Sequence, residues 1–169
     1  MGIVQGATER YSIQLGRLHG MAANGSDQYT AKNEQRLEAM LTQAKSEILA
    51  GGHFRTPESL ARLHDREPDV FVLSLRRAEA NREIFSIEHQ GRVHYPDYAF
   101  SENEQDDLLP GLAEIVTVLH RSKDGWGMAF WFRSPNNFLG GRRPEDVLSQ
   151  TPEAVLLAAC NEVSDVMQG

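Results

Sequence analysis

The sequence predicts a mainly α protein with one small β-hairpin. An N-terminal helix leads into a winged helix-turn-helix-like module and then a C-terminal helical bundle. Three observations carry this expectation. Apolar residues recur at helical spacing near both ends of the chain. All 7 prolines lie from Pro57 onward, so the architecture changes near residue 53. Between these parts, Phe85 to Tyr95 alternates apolar and polar residues around a glycine, which is the pattern of a hairpin.

Residues 1–26 have no strong period and read as an arm, with a short helix around Tyr11 to Leu18. Leu37, Met40, Leu41, Ala44 and Ile48 then fall on one helical stripe, and Gly51-Gly52 ends it, predicting a helix from about Asp27 to Ala50. The outer face of this helix is polar, so the stripe packs on another module or on a second copy, and it is the candidate homodimer interface. Thr56-Pro57-Glu58 is a helix start: a hydroxyl cap, proline at the first helical position, and an acid in the first turn. That helix should reach about His64. After Pro68, the run from Val70 to Leu75 would suit a buried strand taken alone. With Arg76 to Ala80 behind it and Asn81 as a cap, a helix fits better.

In the hairpin, a three-residue loop His89-Gln90-Gly91 sets Glu88 opposite Arg92 and Ile87 opposite Val93, so Phe85, Ile87, Val93 and Tyr95 share one face. Helix, turn, helix and hairpin together give the layout of a winged helix-turn-helix. Ser101 to Asp107 reads as an acidic linker. Beyond Pro110-Gly111, the expected elements are a helix striped by Leu112, Ile115, Val116 and Leu119, a helix over Asp124 to Arg133, and a short one over Arg143 to Leu148. A final helix starts at Thr151-Pro152, striped by Leu156, Ala159, Cys160, Val163 and Met167. The domains expected are therefore 1–52, 53–100 and 108–169.

Charge excludes a general polyanion binder. Residues 1–52 carry 5 basic and 5 acidic groups, residues 53–94 carry 7 and 7, and residues 95–169 carry 5 and 12, so the whole net charge of −7 sits in the last part. Phosphate neutralisation needs clustered cations, and only a local arginine patch in the middle part offers one: Arg76, Arg77 and Arg82, with Arg92 on the wing. Glu79, Glu83 and Glu88 oppose them. The acidic last part suits a basic protein partner or simple solubility.

The sequence offers no catalytic constellation, phosphate loop, dinucleotide fingerprint or paired-histidine metal motif, and no cofactor is expected. His89 and His94 read as exposed hairpin polars rather than as a metal pair. The lone cysteine, Cys160, reads as a buried small hydrophobe, and Asp106-Asp107 as solvated linker. No apolar run of membrane-spanning length or signal-peptide start occurs, so the cytoplasm is the default location.

The informative segment is Gly125 to Pro144, GWGMAFWFRSPNNFLGGRRP. Trp126 and Phe130 share a helical face that the adjacent Trp131 and Phe132 cannot share, so part of this aromatic surface should point elsewhere. Ser134-Pro135 stops the helix. Asn136, Asn137, Gly140 and Gly141 permit a tight loop, from which Arg142 reaches carbonyls or carboxylates. Read from the residues alone, this is either a helix-loop-helix core or a partner groove built on a rigid loop.

The gapless run from Trp131 to Pro144, with Leu148 following, resembles the toxin-binding C-terminal domain of the Xre/MbcA/ParS antitoxin family over roughly residues 108–165. In that family a tryptophan-bearing helix precedes W-[LF]-x-[TS]-P-N-x-x-[LF]-G-G-[RK]-x-P. Arg143 stands where the family usually has a helix-capping Ser or Thr. Tyr95-Pro96-Asp97-Tyr98-Ala99-Phe100 similarly resembles the Y-P-x-x-x-F end of the hairpin in the DNA-reading module of some members. The resemblance implies an antitoxin that binds and neutralises a partner toxin, of which a RES-type NAD-consuming toxin is the expected kind, and that autoregulates its operon as a dimer. The partner-binding residues expected on this basis are Trp131, Asn136, Asn137, Leu139 and Arg142, with Asp165 and the chain end entering a basic cleft. The alternative is a DNA-binding transcriptional regulator with no toxin partner.

Overall fold

A computed structural model describes residues 27–101 and 108–168, with side chains for 33–101 and 108–164. It is mainly helical with a small antiparallel sheet. The chain divides into two compact units at Gly51 and Gly52. The expected arm and Asp106-Asp107 lie outside the described residues.

In the first unit, helix α1 runs Asp27–Ala50. Gly51 N–H closes on Glu47 O at 3.1 Å. Ile48 is buried, Leu37, Leu41 and Ala44 are half-buried, and Met40 is exposed, so the apolar stripe is covered unevenly.

The second unit begins with strand β1 (Phe54–Arg55) and helix α2 (Pro57–Leu63). The Thr56 hydroxyl caps α2 by accepting from Ser59 N–H. Helix α3 covers Pro68–Ala80, so the Val70–Leu75 run is helical. Its N-cap is the Glu67 carboxylate, which accepts from Val70 N–H at 2.9 Å. At its other end Arg82 takes a left-handed conformation (φ 60°), while Glu83 N–H reaches back to Ala78 O at 2.8 Å.

Strands β2 (Ile87–His89) and β3 (Arg92–Pro96) form the hairpin, in a register one residue away from expectation. Ile87 lies opposite His94, Glu88 opposite Val93, and His89 opposite Arg92. The loop is the two-residue turn Gln90-Gly91, both with positive φ (51° and 72°), which matches the twist of the strands. The expected loop gave the left-handed position to glycine alone, because glutamine seldom occupies it. The slip separates Val93, which is exposed, from Ile87, which is sealed.

The expectation also omitted β1, which pairs with β3 to give the order β1-β3-β2. Both faces of this small sheet are covered near its base. Tyr95 turns toward α3, where its hydroxyl and that of Ser86 donate to the Glu79 carboxylate at 2.6 and 2.5 Å. Phe54 and Ile87 occupy the other face and are buried.

After a short 3-10 turn (Asp97–Ala99), Leu109 N–H returns to Ala99 O, and helices α4 (Leu112–Leu119), α5 (Gly125–Arg133), α6 (Pro144–Val147) and α7 (Pro152–Gln168) follow. All four α4 stripe residues are fully buried. In α7 the buried side is Val155, Ala158, Ala159 and Val163, so Leu156 is only half-covered and Cys160 is exposed. One residue of helical phase, about 100°, separates Ala159 in the core from Cys160 in water.

The sheet and the C-terminal helices share one core. Phe85 stacks on Phe132 of α5 with centroids 5.5 Å apart, and Tyr98 meets the same Phe132 at 5.6 Å. Gly125 enforces the contact, because a Cβ there would stand 1.9 Å from Ser86 O.

Gly125→Ala should therefore destabilise the fold by roughly 2 kcal/mol or more, read from urea denaturation, because the obstacle is backbone and cannot rotate away. The His64 ring packs 4.9 Å from Phe100, and its Nε2 is sealed without a partner among the described residues. Burial holds its pKa below the ordinary 6.5. The neutral ring's contribution is complete above that value and is lost as pH falls from there through the lower folded pKa. Melting temperatures between pH 7.5 and pH 5 should fall less steeply for His64→Gln than for the parent.

Candidate functional site

Helix α5 begins at Asp124, whose carboxylate accepts from Gly127 N–H at 2.7 Å. Trp126 clamps the helix to the hairpin, its indole N–H donating to Glu88 O at 3.1 Å. Trp126 and Phe130 do share a side, with centroids 6.2 Å apart. Lys123 and Glu162, at 2.6 Å, tie the start of α5 to α7. The helix stops at Ser134, which is extended ahead of Pro135, as the proline ring requires.

The loop that follows is closed by its own backbone. Asn136 N–H donates to Arg142 O at 3.0 Å, and Gly141 N–H donates to Asn136 O at 2.9 Å. The Asn136 side chain caps the 3-10 turn Asn137–Leu139 by accepting from Phe138 N–H at 2.9 Å. Gly140 and Gly141 both have positive φ (67° and 81°), two successive left-handed positions that other residues resist. Leu139 plugs this loop into the core at 6% exposure.

The presented surface differs from expectation. Trp131 is 5% exposed and Leu139 is buried, so neither is available on the surface. Asn136 is half-buried and engaged in the loop, while Asn137 and Arg142 are exposed. Beside them stands Phe138, 55% exposed, which the sequence reading left out. The available signal was its neighbour: once Leu139 turns inward, the adjacent residue in the turn is forced outward. The Asp165 side chain lies outside the described residues.

Beneath the loop is a polar seam. Arg133 Nη1 donates to both Glu145 oxygens at 3.0 and 3.2 Å, with 16% and 4% of the side chains exposed. Arg143 supplies no side-chain cap to α6 and instead approaches Glu145 at 3.6 Å. Burial pushes the Glu145 carboxyl up, while Arg133 and then His53 pull it back. Nearby, His53 and Arg55 flank Asp97 at 3.5 and 3.1 Å. Among the described residues the Tyr98 hydroxyl and Trp131 Nε1 are sealed without partners, and burial, with Glu145 adding to it, drives the Tyr98 pKa far upward.

The arginines named for DNA are all exposed. Arg76 and Arg77 share a side of α3, Arg82 lies just beyond it, and Arg92 opens β3, where its charge acts on Glu58 of α2. Glu79 is turned inward by its two hydroxyl partners. His94 Nδ1 lies 3.1 Å from Arg92 O. Among the described residues, no group of three or more His, Cys, Asp or Glu is placed to hold a metal, and no helix is long and apolar enough to cross a membrane.

No family model matches the chain, and neither a curated protein nor a solved structure matches it.

Breaking the sealed ion pair has a sharp expected signature. Arg133→Ala should cost about 3 kcal/mol of unfolding free energy, because it strands a buried carboxylate. Replacing both partners with apolar residues (Arg133→Met with Glu145→Leu) should cost less than either single change, as read from a double-mutant denaturation cycle.

Proposed function

We propose that this protein is an antitoxin-like binder that neutralises a partner toxin by covering its active site. The observation that supports this reading best is Phe138: a large apolar ring, 55% exposed, on a loop whose backbone is locked from both ends. An exposed aromatic on a flexible loop would lose entropy on binding, whereas one on a locked loop is already ordered, which is how interface anchors gain affinity. Asn137, Arg142 and Arg143 surround it with donors suited to carbonyls and carboxylates. The likeness of residues 131–144 to the Xre/MbcA/ParS pattern points to a RES-type NAD-consuming toxin as the partner. On this reading, partner contact rests on Phe138, Asn137 and Arg142, with Trp131 and Leu139 acting from inside as supports.

A second reading, a DNA-binding regulator of its own operon, draws on the β1-β3-β2 order beside two helices and on the exposed Arg76, Arg77 and Arg92. Its weakness is the composition of the exposed side of α3.

Co-expression with the product of the adjacent reading frame tests the first reading. Phe138→Ala should abolish protection in a growth assay and break co-purification, with an unchanged melting curve. Full protection by a folded Phe138→Ala, Arg142→Ala double variant would reject the loop as the binding site.

A further inference from the structure

Among the described residues, helix α3 has one side left uncovered. Asp69, Val70, Leu73, Arg76, Arg77 and Ala80 are all exposed, and their spacing places them along one face. On the opposite side Phe71 and Leu75 are sealed in the core. Val70 and Leu73 are each 64% exposed, one turn apart, in the middle of the open face. In a winged helix-turn-helix this face would read base edges, which requires hydrogen-bonding side chains at its centre, and two aliphatics provide none.

Charge on this face is divided by position. Asp69 stands at the N-terminal end, Arg76 and Arg77 at the C-terminal end, and the aliphatics between them. Among the described residues, neither Asp69 nor Arg77 makes an ion pair. A stripe that runs acid, aliphatic, base is complementary to its own reverse. An antiparallel second α3 on a twofold axis through Leu73 sets Leu73 against Leu73 and Val70 against the Arg76 stem of the other copy. It also sets Asp69 opposite Arg77 of the other copy, and the twofold repeats each pairing. A parallel arrangement would align like charges, so the pattern selects the antiparallel one.

We propose that the open face of α3 is a self-association surface, its occupant the α3 of a second copy of this chain. A single helix pair buries less than the ~1,600 Å² of a standard interface, so the dimer is a weak one, with a dissociation constant on the order of 10 μM. The same face cannot enter a DNA groove while paired. The proposal is independent of the Phe138 loop, which lies on a different element.

Sedimentation velocity of the full chain from about 1 to about 200 μM tests it. The parent should shift from monomer to dimer across that range. Asp69→Arg and Arg77→Asp should each weaken association by about tenfold or more, since each places like charges across the axis twice. The double variant should regain it, and an equimolar mixture of the two single variants should associate as the parent does. Leu73→Glu, which sets two carboxylates face to face, should abolish dimers while leaving the circular dichroism spectrum unchanged. A parent that stays monomeric throughout overturns the proposal. So does association unaffected by the single exchanges, which would place the interface elsewhere, for instance on the Leu37–Ile48 stripe. Failure of both the double variant and the mixture to recover association rejects the pairing as well.

Discussion

The fold depends on how closely the first turn of α5 lies against the hairpin. At Gly125 the helix backbone sits so near Ser86 O that no side chain fits between them. This approach brings Phe132 onto Phe85 and under Tyr98, and lets the Trp126 indole reach Glu88 O. Aromatic burial of this kind is the largest apolar contribution a small unit can concentrate in one place. It binds the sheet and the C-terminal helices into one body, so the loop after α5 inherits its orientation from the hairpin.

The polar groups enclosed by that arrangement explain the loop's rigidity. Arg133 and Glu145 are nearly sealed, and each is tolerable only because the other is present. The pair fixes the last turn of α5 relative to the first turn of α6, the two supports between which Asn136–Arg142 is strung. Leu139 then anchors the loop from beneath. Phe138 is held outward by a frame of backbone hydrogen bonds, an ion pair and a buried leucine. The uncovered face of α3 is held differently, by Phe71 and Leu75 in the core and by Glu79 gripping two hydroxyls of the hairpin. Two surfaces with distinct supports suit two separate binding events.

Much of this was legible in the chain. Pro57 behind Thr56, Pro144 and Pro152 each marked a helix start, because proline's fixed φ suits the first turn. The α4 stripe was readable from spacing because every member is buried. The position of Cys160 was misread in phase, since α7 has apolar residues on more than one side and periodicity alone does not say which side meets the core. The hairpin register was misread because a glutamine occupies a left-handed turn position that its intrinsic preference disfavours.

The sequence by itself determined the order of the helices and the hairpin, the helix starts and the locked glycine-asparagine loop, because these rest on local backbone preferences and on hydrogen bonds between near neighbours. Tertiary structure decided which aromatic faces outward. Trp131 is buried, edge-on against its neighbour Phe132, and Phe138 is left outside once Leu139 takes the inner place. It also decided the third strand and the sealed partnership of Arg133 with Glu145, which join segments that no local rule connects.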